Sequence, residues 1–226
     1  MKTNLLIFFV AAVIFTSCSK NNSDNNSSTT NTYINTNAGS TWNYHQVDSS
    51  SNSPVVSDYT LTSSSNDTTI NSKKYHIYNG SDGADRYMTV SGNDYYQYDS
   101  IPVAGGINIE RLYLKDNAAV GTTWDQSFTL NIPNLPVPGG VTLSVKNNIV
   151  EKGISRTVNG ISYSNVIHVS TSLSSPLITS GFTSSIDSYY APKYGLIESK
   201  TVVHLDYLGI TEDVNISTHL MSADLK

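Results

Sequence analysis

From about residue 39 onward, apolar side chains recur at every second position, which is the period of a half-buried strand and not of a helix. In the run 124–132, Trp124, Phe128, Leu130 and Ile132 share one face, and Asp125, Ser127, Thr129 and Asn131 share the other. Val55, Tyr59 and Leu61 alternate in the same way. So do Val141, Leu143 and Val145 against Thr142, Ser144 and Lys146, and Ile210, Val214, Ile216 and Leu220 against Thr211, Asp213, Asn215 and Ser217. No segment of this region carries a sustained 3.6-residue period with capping signals. Turn dipeptides punctuate the runs: Asn79-Gly80, Asp82-Gly83, Gly92-Asn93, Gly105-Gly106, Gly139-Gly140 and Asn159-Gly160. Asn-Gly between alternating runs is the strongest short-range hairpin signal, and one-sided alternation favours antiparallel pairing. The expected fold is all-β: an antiparallel, strongly curved sheet or open half-barrel, with a β-sandwich as second choice.

The alternation is used twice in the same order. Gly39-Ser-Thr-Trp42 returns as Gly121-Thr-Thr-Trp124, and Thr69-Ile-Asn-Ser-Lys-Lys-Tyr75 as Thr157-Val-Asn-Gly-Ile-Ser-Tyr163. This order implies two pseudo-repeated halves, 39–120 and 121–226, within a single domain spanning 39–226. A chain of 226 residues with 38% hydrophobic residues can bury one core of that size. Its net charge of −5 is the wrong sign for a nucleic-acid partner, which a basic patch would announce. The single Cys excludes a disulfide framework and any multi-cysteine metal site.

That Cys is placed informatively. Residues 1–17 have a basic start (Lys2), an apolar run from Leu5 to Phe15 and small residues Thr16-Ser17 just before Cys18. The run is shorter than the ~20 residues a spanning helix needs and reads as a signal-peptide core. Its junction with Cys18 resembles the lipobox of bacterial lipoproteins, which implies cleavage before Cys18 and acylation of that residue. Several acyl chains would hold the protein stably on a membrane. Residues 18–38 follow as a Ser/Asn/Thr-rich tether whose few apolar side chains, Tyr33 and Ile34, leave little to offset ordering entropy. Gly39-x-x-Trp42-x-Tyr44 near the start and Tyr189-Tyr-Ala-Pro-Lys-Tyr-Gly195-Leu-Ile near the end resemble uncharacterised β-rich lipoproteins of the Bacteroidota. The resemblance implies a β-rich domain lipid-anchored in the cell envelope, at the outer membrane, facing either the periplasm or the surface. It brings no activity, catalytic residue or cofactor with it.

The chemistry of the chain is sparse. There is no Gly-x-Ser-x-Gly elbow, His-Glu-x-x-His pair or phosphate-binding Gly-x-x-x-x-Gly-Lys loop. No two of the five His lie within five positions of each other, and His204 with Asp206 makes a strand-face pair rather than a metal site. The loop Asn79–Asp85 has oxygen donors but lacks the bidentate Glu of a calcium loop, so a hairpin turn accounts for it. No metal or cofactor is expected.

Two other features invite a binding role. Ile101-Pro-Val103-Ala-Gly-Gly-Ile107 and Leu135-Pro-Val137-Pro-Gly-Gly-Val141 are apolar where loops are usually polar. They are either core plugs or an apolar lip around a groove. Tyr96 and Tyr98 on one strand, with Tyr189 and Tyr190 near the late hairpin, form a candidate aromatic face for a glycan or protein. The expected function is a membrane-tethered, non-enzymatic binding or structural module with an apolar ligand, glycan or protein as partner. A small cell-envelope glycan-processing hydrolase is the alternative, and it requires two convergent carboxylates.

Overall fold

The computed structural model of the chain describes residues 32–101, 107–130, 140–178, 180–207 and 210–226. Among these, every regular element is a strand. In chain order they are β1 (Thr41–Asp48), β2 (Val55–Ile70), β3 (Lys73–Gly80), β4 (Arg86–Ser91), β5 (Asp94–Ile101) and β6 (Ile107–Lys115). The second half follows with β7 (Thr123–Leu130), β8 (Val141–Val158), β9 (Ile161–Ser174), β10 (Phe182–Ala191), β11 (Gly195–Tyr207) and β12 (Ile210–Asp224). All twelve form one antiparallel sheet in the order 6-5-4-3-2-1-12-11-10-9-8-7. Each half is a meander of neighbours, and the halves join where β1 pairs with β12, setting Thr41 opposite Asp224.

The sheet curls until its two edges, β6 and β7, meet. They are joined by side chains rather than by a backbone ladder. Trp124 Nε1 donates to the Leu112 carbonyl at 2.8 Å, the Leu112 N–H donates to Gln126 Oε1 at 2.7 Å, and Gln126 Nε2 donates to the Glu110 carbonyl at 3.2 Å. The result is a nearly closed barrel, so the curved-sheet expectation holds and the sandwich does not. An edge strand normally exposes unpaired backbone groups; here Trp124 and Gln126 satisfy the Leu112 N–H and the Leu112 and Glu110 carbonyls of β6.

The expected inward phase holds along the strands. Trp42, Leu61, Trp124, Leu130, Val145 and Leu220 are all buried. Val55, expected in phase with Leu61, is exposed, because it begins β2 opposite Asp48 at the open end of the sheet.

The two halves repeat one local geometry. Gly39 and Gly121 take φ of +83° and +84°, which a side chain would strain. The Gly39 N–H donates to Ser63 O while the Ser63 N–H donates to Ser40 O; Gly121 and Ile149 make the same exchange through Thr122. Downstream, Asn71-Ser72 and Asn159-Gly160 both have positive φ, the conformation of a two-residue hairpin turn. Both hairpins overhang the next strand, since β3 meets β4 only from His76 and β9 meets β10 only from Ile167.

Two buried clusters fill the barrel. One contains Trp42, Tyr44, Leu61, Tyr78 and Leu220, and the other Tyr95, Tyr113, Leu114, Trp124 and Ile149. Residues 32–37 lie between them as a strap. The Lys193 N–H donates to Thr32 O at 2.7 Å, Tyr33 Oη donates to Asn165 O at 2.7 Å, and Tyr78 Oη donates to Asn35 O at 2.9 Å. Tyr33 is 6% exposed. Residues 32–37 of the expected tether therefore pack with the strands, because its two apolar residues find a core to enter. The remainder of the tether and residues 1–17 lie outside the described residues.

Candidate functional site

The barrel interior holds a partly open cavity of about 260 Å³. Its walls follow from the alternation that forms the strands. On β6, Ile109, Arg111 and Tyr113 share the inward phase; on β4, Arg86 and Met88 do, and on β5, Gln97. Arg86, Met88, Gln97, Arg111 and Tyr113 all line the cavity. Opposite them stand Tyr190 and Ser188 of β10 and Ser199 and Thr201 of β11, with Tyr44 and Trp42 of β1 between the two walls. The strap contributes Tyr33, Ile34 and Asn35.

Arg111 is the central polar group. Its side chain is 37% open although it points into the barrel, so the opening is toward the cavity. Nε donates to Asp99 Oδ2 at 2.5 Å, Nη2 contacts the same oxygen, and Gln97 Nε2 donates to Asp99 Oδ1 at 2.5 Å. Burial would pull the guanidinium down, but the Asp99 charge beside it, helped by Tyr190, holds it above its usual value. Arg86 is fixed likewise, with Nη2 on Asp82 Oδ2 at 2.7 Å and its guanidinium 5.6 Å from the Tyr59 ring centre. Asp99 and Asp82 do not line the cavity, so the charges facing it are the two guanidiniums.

The tyrosines around the cavity are neutral donors. Burial pushes Tyr44 and Tyr113 well above the ordinary phenol range, with neighbouring tyrosines adding to it, and burial raises Tyr190 as well. Tyr33 is pushed up to about 12 by burial and by the charge of Asp116. Tyr113 and Tyr190 pack with ring centres 5.3 Å apart. Trp42, 4% exposed, has a buried indole N–H with no acceptor among the described residues.

Apart from Tyr190, the described site residues expected from sequence fall elsewhere. Tyr96 lies under the Lys73 ammonium, 3.7 Å from its ring centre, and Lys73 binds Glu110 at 2.7 Å. Tyr98 packs against Tyr75 at 6.0 Å on that same face. Tyr189 is held between the His168 ring, 4.3 Å away and nearly parallel, and the Arg156 guanidinium at 3.4 Å. Tyr190 faces the cavity instead, because adjacent strand residues point to opposite sides. The four tyrosines therefore do not make one face, and the other three pack against the chain's own side chains while staying half-buried.

Of the apolar lip, Val141 is 5% exposed and packs inward opposite Leu130, so it is core and not lip. Ile101 and Ile107 are backbone partners at the ends of β5 and β6, and Val103, Leu135 and Val137 lie outside the described residues. The strand ends flanking the two segments, Ile107 and Leu130, fall at one end of the barrel, since the Trp124 and Gln126 contacts set β6 and β7 antiparallel. Cys18 also lies outside the described residues. His204 pairs across strands with Asp213 at 2.6 Å rather than with Asp206 along its own strand. Asp82 and Asp85 of the 79–85 loop are occupied by Arg86 and Asn79, as a hairpin turn requires. Among the described residues, no three His, Cys, Asp or Glu side chains converge as a metal site.

What sequence reasoning missed was Arg111 and Arg86. The signal was present for Arg111, a charged residue between Ile109 and Tyr113 of the same inward phase, whereas Arg86 opens β4 with only Met88 beside it in phase.

No protein-family model and no curated protein matches the chain. Two solved structures are similar to it. One is a candidate lipoprotein from Parabacteroides distasonis, with a TM-score of 0.45 and 11% identity, covering 85% of this chain and 98% of that one. The other is a candidate exported protein with a YmcC-like fold from Bacteroides fragilis, with a TM-score of 0.44 and 8% identity, covering 84% of this chain and 98% of that one. Both come from genera of the Bacteroidota.

Proposed function

We propose that this chain is a membrane-tethered, non-enzymatic binding module, held in the cell envelope through acylated Cys18, whose site is the barrel lumen. The observation that carries this reading is the lumen cavity in which Arg111 and Arg86 face tyrosine walls. Its volume of about 260 Å³ lies below the ~300–1,000 Å³ of sites for drug-sized ligands. Its walls alternate rings with guanidinium, hydroxyl and amide groups. Both properties suit one small polar solute rather than an acyl chain, which would leave those polar groups unpaired.

Hydrolysis is the weaker reading. Glycoside hydrolysis needs two carboxylates placed across a substrate. A second recess at the rim does contain Asp85 and Asp99, but Asp99 is already committed to Arg111 and Gln97.

Trp42 lines the lumen, so occupancy is readable in its fluorescence. With the full-length protein, small hydroxylated solutes should change the emission saturably, while palmitate should not. Saturable one-to-one palmitate binding, with no response to any polar solute, would overturn the lumen reading. Separately, Cys18→Ser should move the protein from the membrane fraction to the soluble one; unchanged partitioning would remove the anchor.

A further inference from the structure

Resting on the lumen as the binding site, we infer that its ligand is a small hydroxylated carboxylate, of the sugar-acid type, whose carboxylate docks on the free edge of the Arg111 guanidinium.

Around the cavity the carboxylates are already used, while part of the guanidinium surface is not. Asp99 is used on both oxygens: Oδ2 takes Nε and Nη2 of Arg111, and Oδ1 takes Gln97. Arg111 Nη1 makes no hydrogen bond among the described residues. A guanidinium carries five N–H donors in a rigid fork, so an edge is left over and it opens on the cavity. Asp99 holds Arg111 from behind, and Asp82 holds Arg86 in the same way. The nearest charges met by a solute are therefore positive, although each pair is neutral overall.

Other groups tilt the balance in the same direction. The Tyr113 and Tyr190 side chains stand on the cavity wall as neutral phenols, whose hydroxyls can donate. The charged groups on the wall are guanidiniums, which can only donate, and an acceptor-rich anionic ligand suits them. A planar carboxylate matches the guanidinium fork with two parallel bonds, which is the strong form of this contact. Across the cavity, the Ser199 and Thr201 hydroxyls can both donate and accept, which fits ligand hydroxyls. The cavity volume limits the ligand to one small molecule.

The test is calorimetric titration of the full-length protein with glucuronate and with glucose, its neutral counterpart. Glucuronate should bind about tenfold or more tightly than glucose, as charge-assisted, two-bond docking on a guanidinium requires. Arg111→Lys keeps the charge but loses the fork, and it should narrow the preference for glucuronate over glucose about tenfold. Asp99→Asn removes the internal competitor for the guanidinium and should tighten glucuronate binding, an outcome that simple structural damage cannot produce. Equal affinity for the two sugars, or weakening of glucuronate by Asp99→Asn in a variant with native circular dichroism, would overturn the carboxylate assignment and leave the lumen reading standing. Binding of palmitate with neither sugar bound would overturn both.

Discussion

The two halves of the barrel use one motif in two settings. Trp42 and Trp124 each follow a positive-φ glycine at the start of a strand, and each is buried. β1 has a paired strand on both sides, so its backbone is satisfied by β2 and β12. β7 has a partner only in β8. The Trp124 indole therefore donates to Leu112 across the open edge, whereas the Trp42 indole donates to nothing among the described residues. The overhanging hairpins diverge in a comparable way. Both are fastened by a cation, a tyrosine ring and a glutamate: Lys73, Tyr96 and Glu110 in the first half, Arg156, Tyr189 and Glu198 in the second. Only the second stacks a histidine beneath the ring. The same local sequence yields the same hairpin in each half, but its side chains are used according to what the closed sheet places beside them.

The largest effect expected of this comparison is common to both halves. Trp42→Ala and Trp124→Ala should each cost about 3–5 kcal/mol in denaturant unfolding, as large-to-small changes in a packed core do. A loss below about 1 kcal/mol at either position would break the equivalence.

A smaller change separates the two. Phe keeps much of the ring volume but not the N–H. Trp124→Phe leaves the Leu112 carbonyl unpaired at the seam, and it should cost about 1–2 kcal/mol more than Trp42→Phe, which loses no bond within the protein. Equal losses would mean that the seam contact contributes nothing.

The smallest effect concerns the hairpin fastenings. Arg156→Ala should destabilise by about 1–2 kcal/mol and Lys73→Ala by about 0.5–1 kcal/mol, since a cation over a ring gains more when better shielded from water. Arg156 lies closer to its ring, which is itself backed by His168. Faster amide exchange confined to residues 65–75 in the Lys73 variant, and to 155–166 in the Arg156 variant, would place each loss at its own hairpin. A reversed order would show that the stacked histidine adds no support.

Much of the strand pattern was legible. The alternation of Trp124, Phe128 and Leu130 placed β7 and its inward face, and Asn159-Gly160 placed the β8–β9 turn. The candidate site was not legible from the features that looked unusual. Clustered tyrosines and apolar Pro-Gly segments were conspicuous in one dimension, yet Tyr96 and Tyr189 are covered by Lys73 and Arg156 from hairpins distant in sequence. Arg111 drew no notice as one charge on an ordinary strand. It becomes a cavity group only because β10 and β11, some 80 residues later, close the space in front of it.

By itself, the sequence determined the period-two strands, the positive-φ turns that reverse them, and the use of one Gly-x-x-Trp opening twice. These are local properties, set by side-chain phase and backbone sterics over a few residues. The tertiary structure alone decided that β1 would be interior and β7 an edge, that the edge would be sealed by Trp124 and Gln126, and that residues 32–37 would enter the core. It also decided that the inward arginines would face a shared cavity. Those outcomes depend on how far a twelve-stranded sheet coils before its ends meet, a sum over every strand pairing that no single segment encodes.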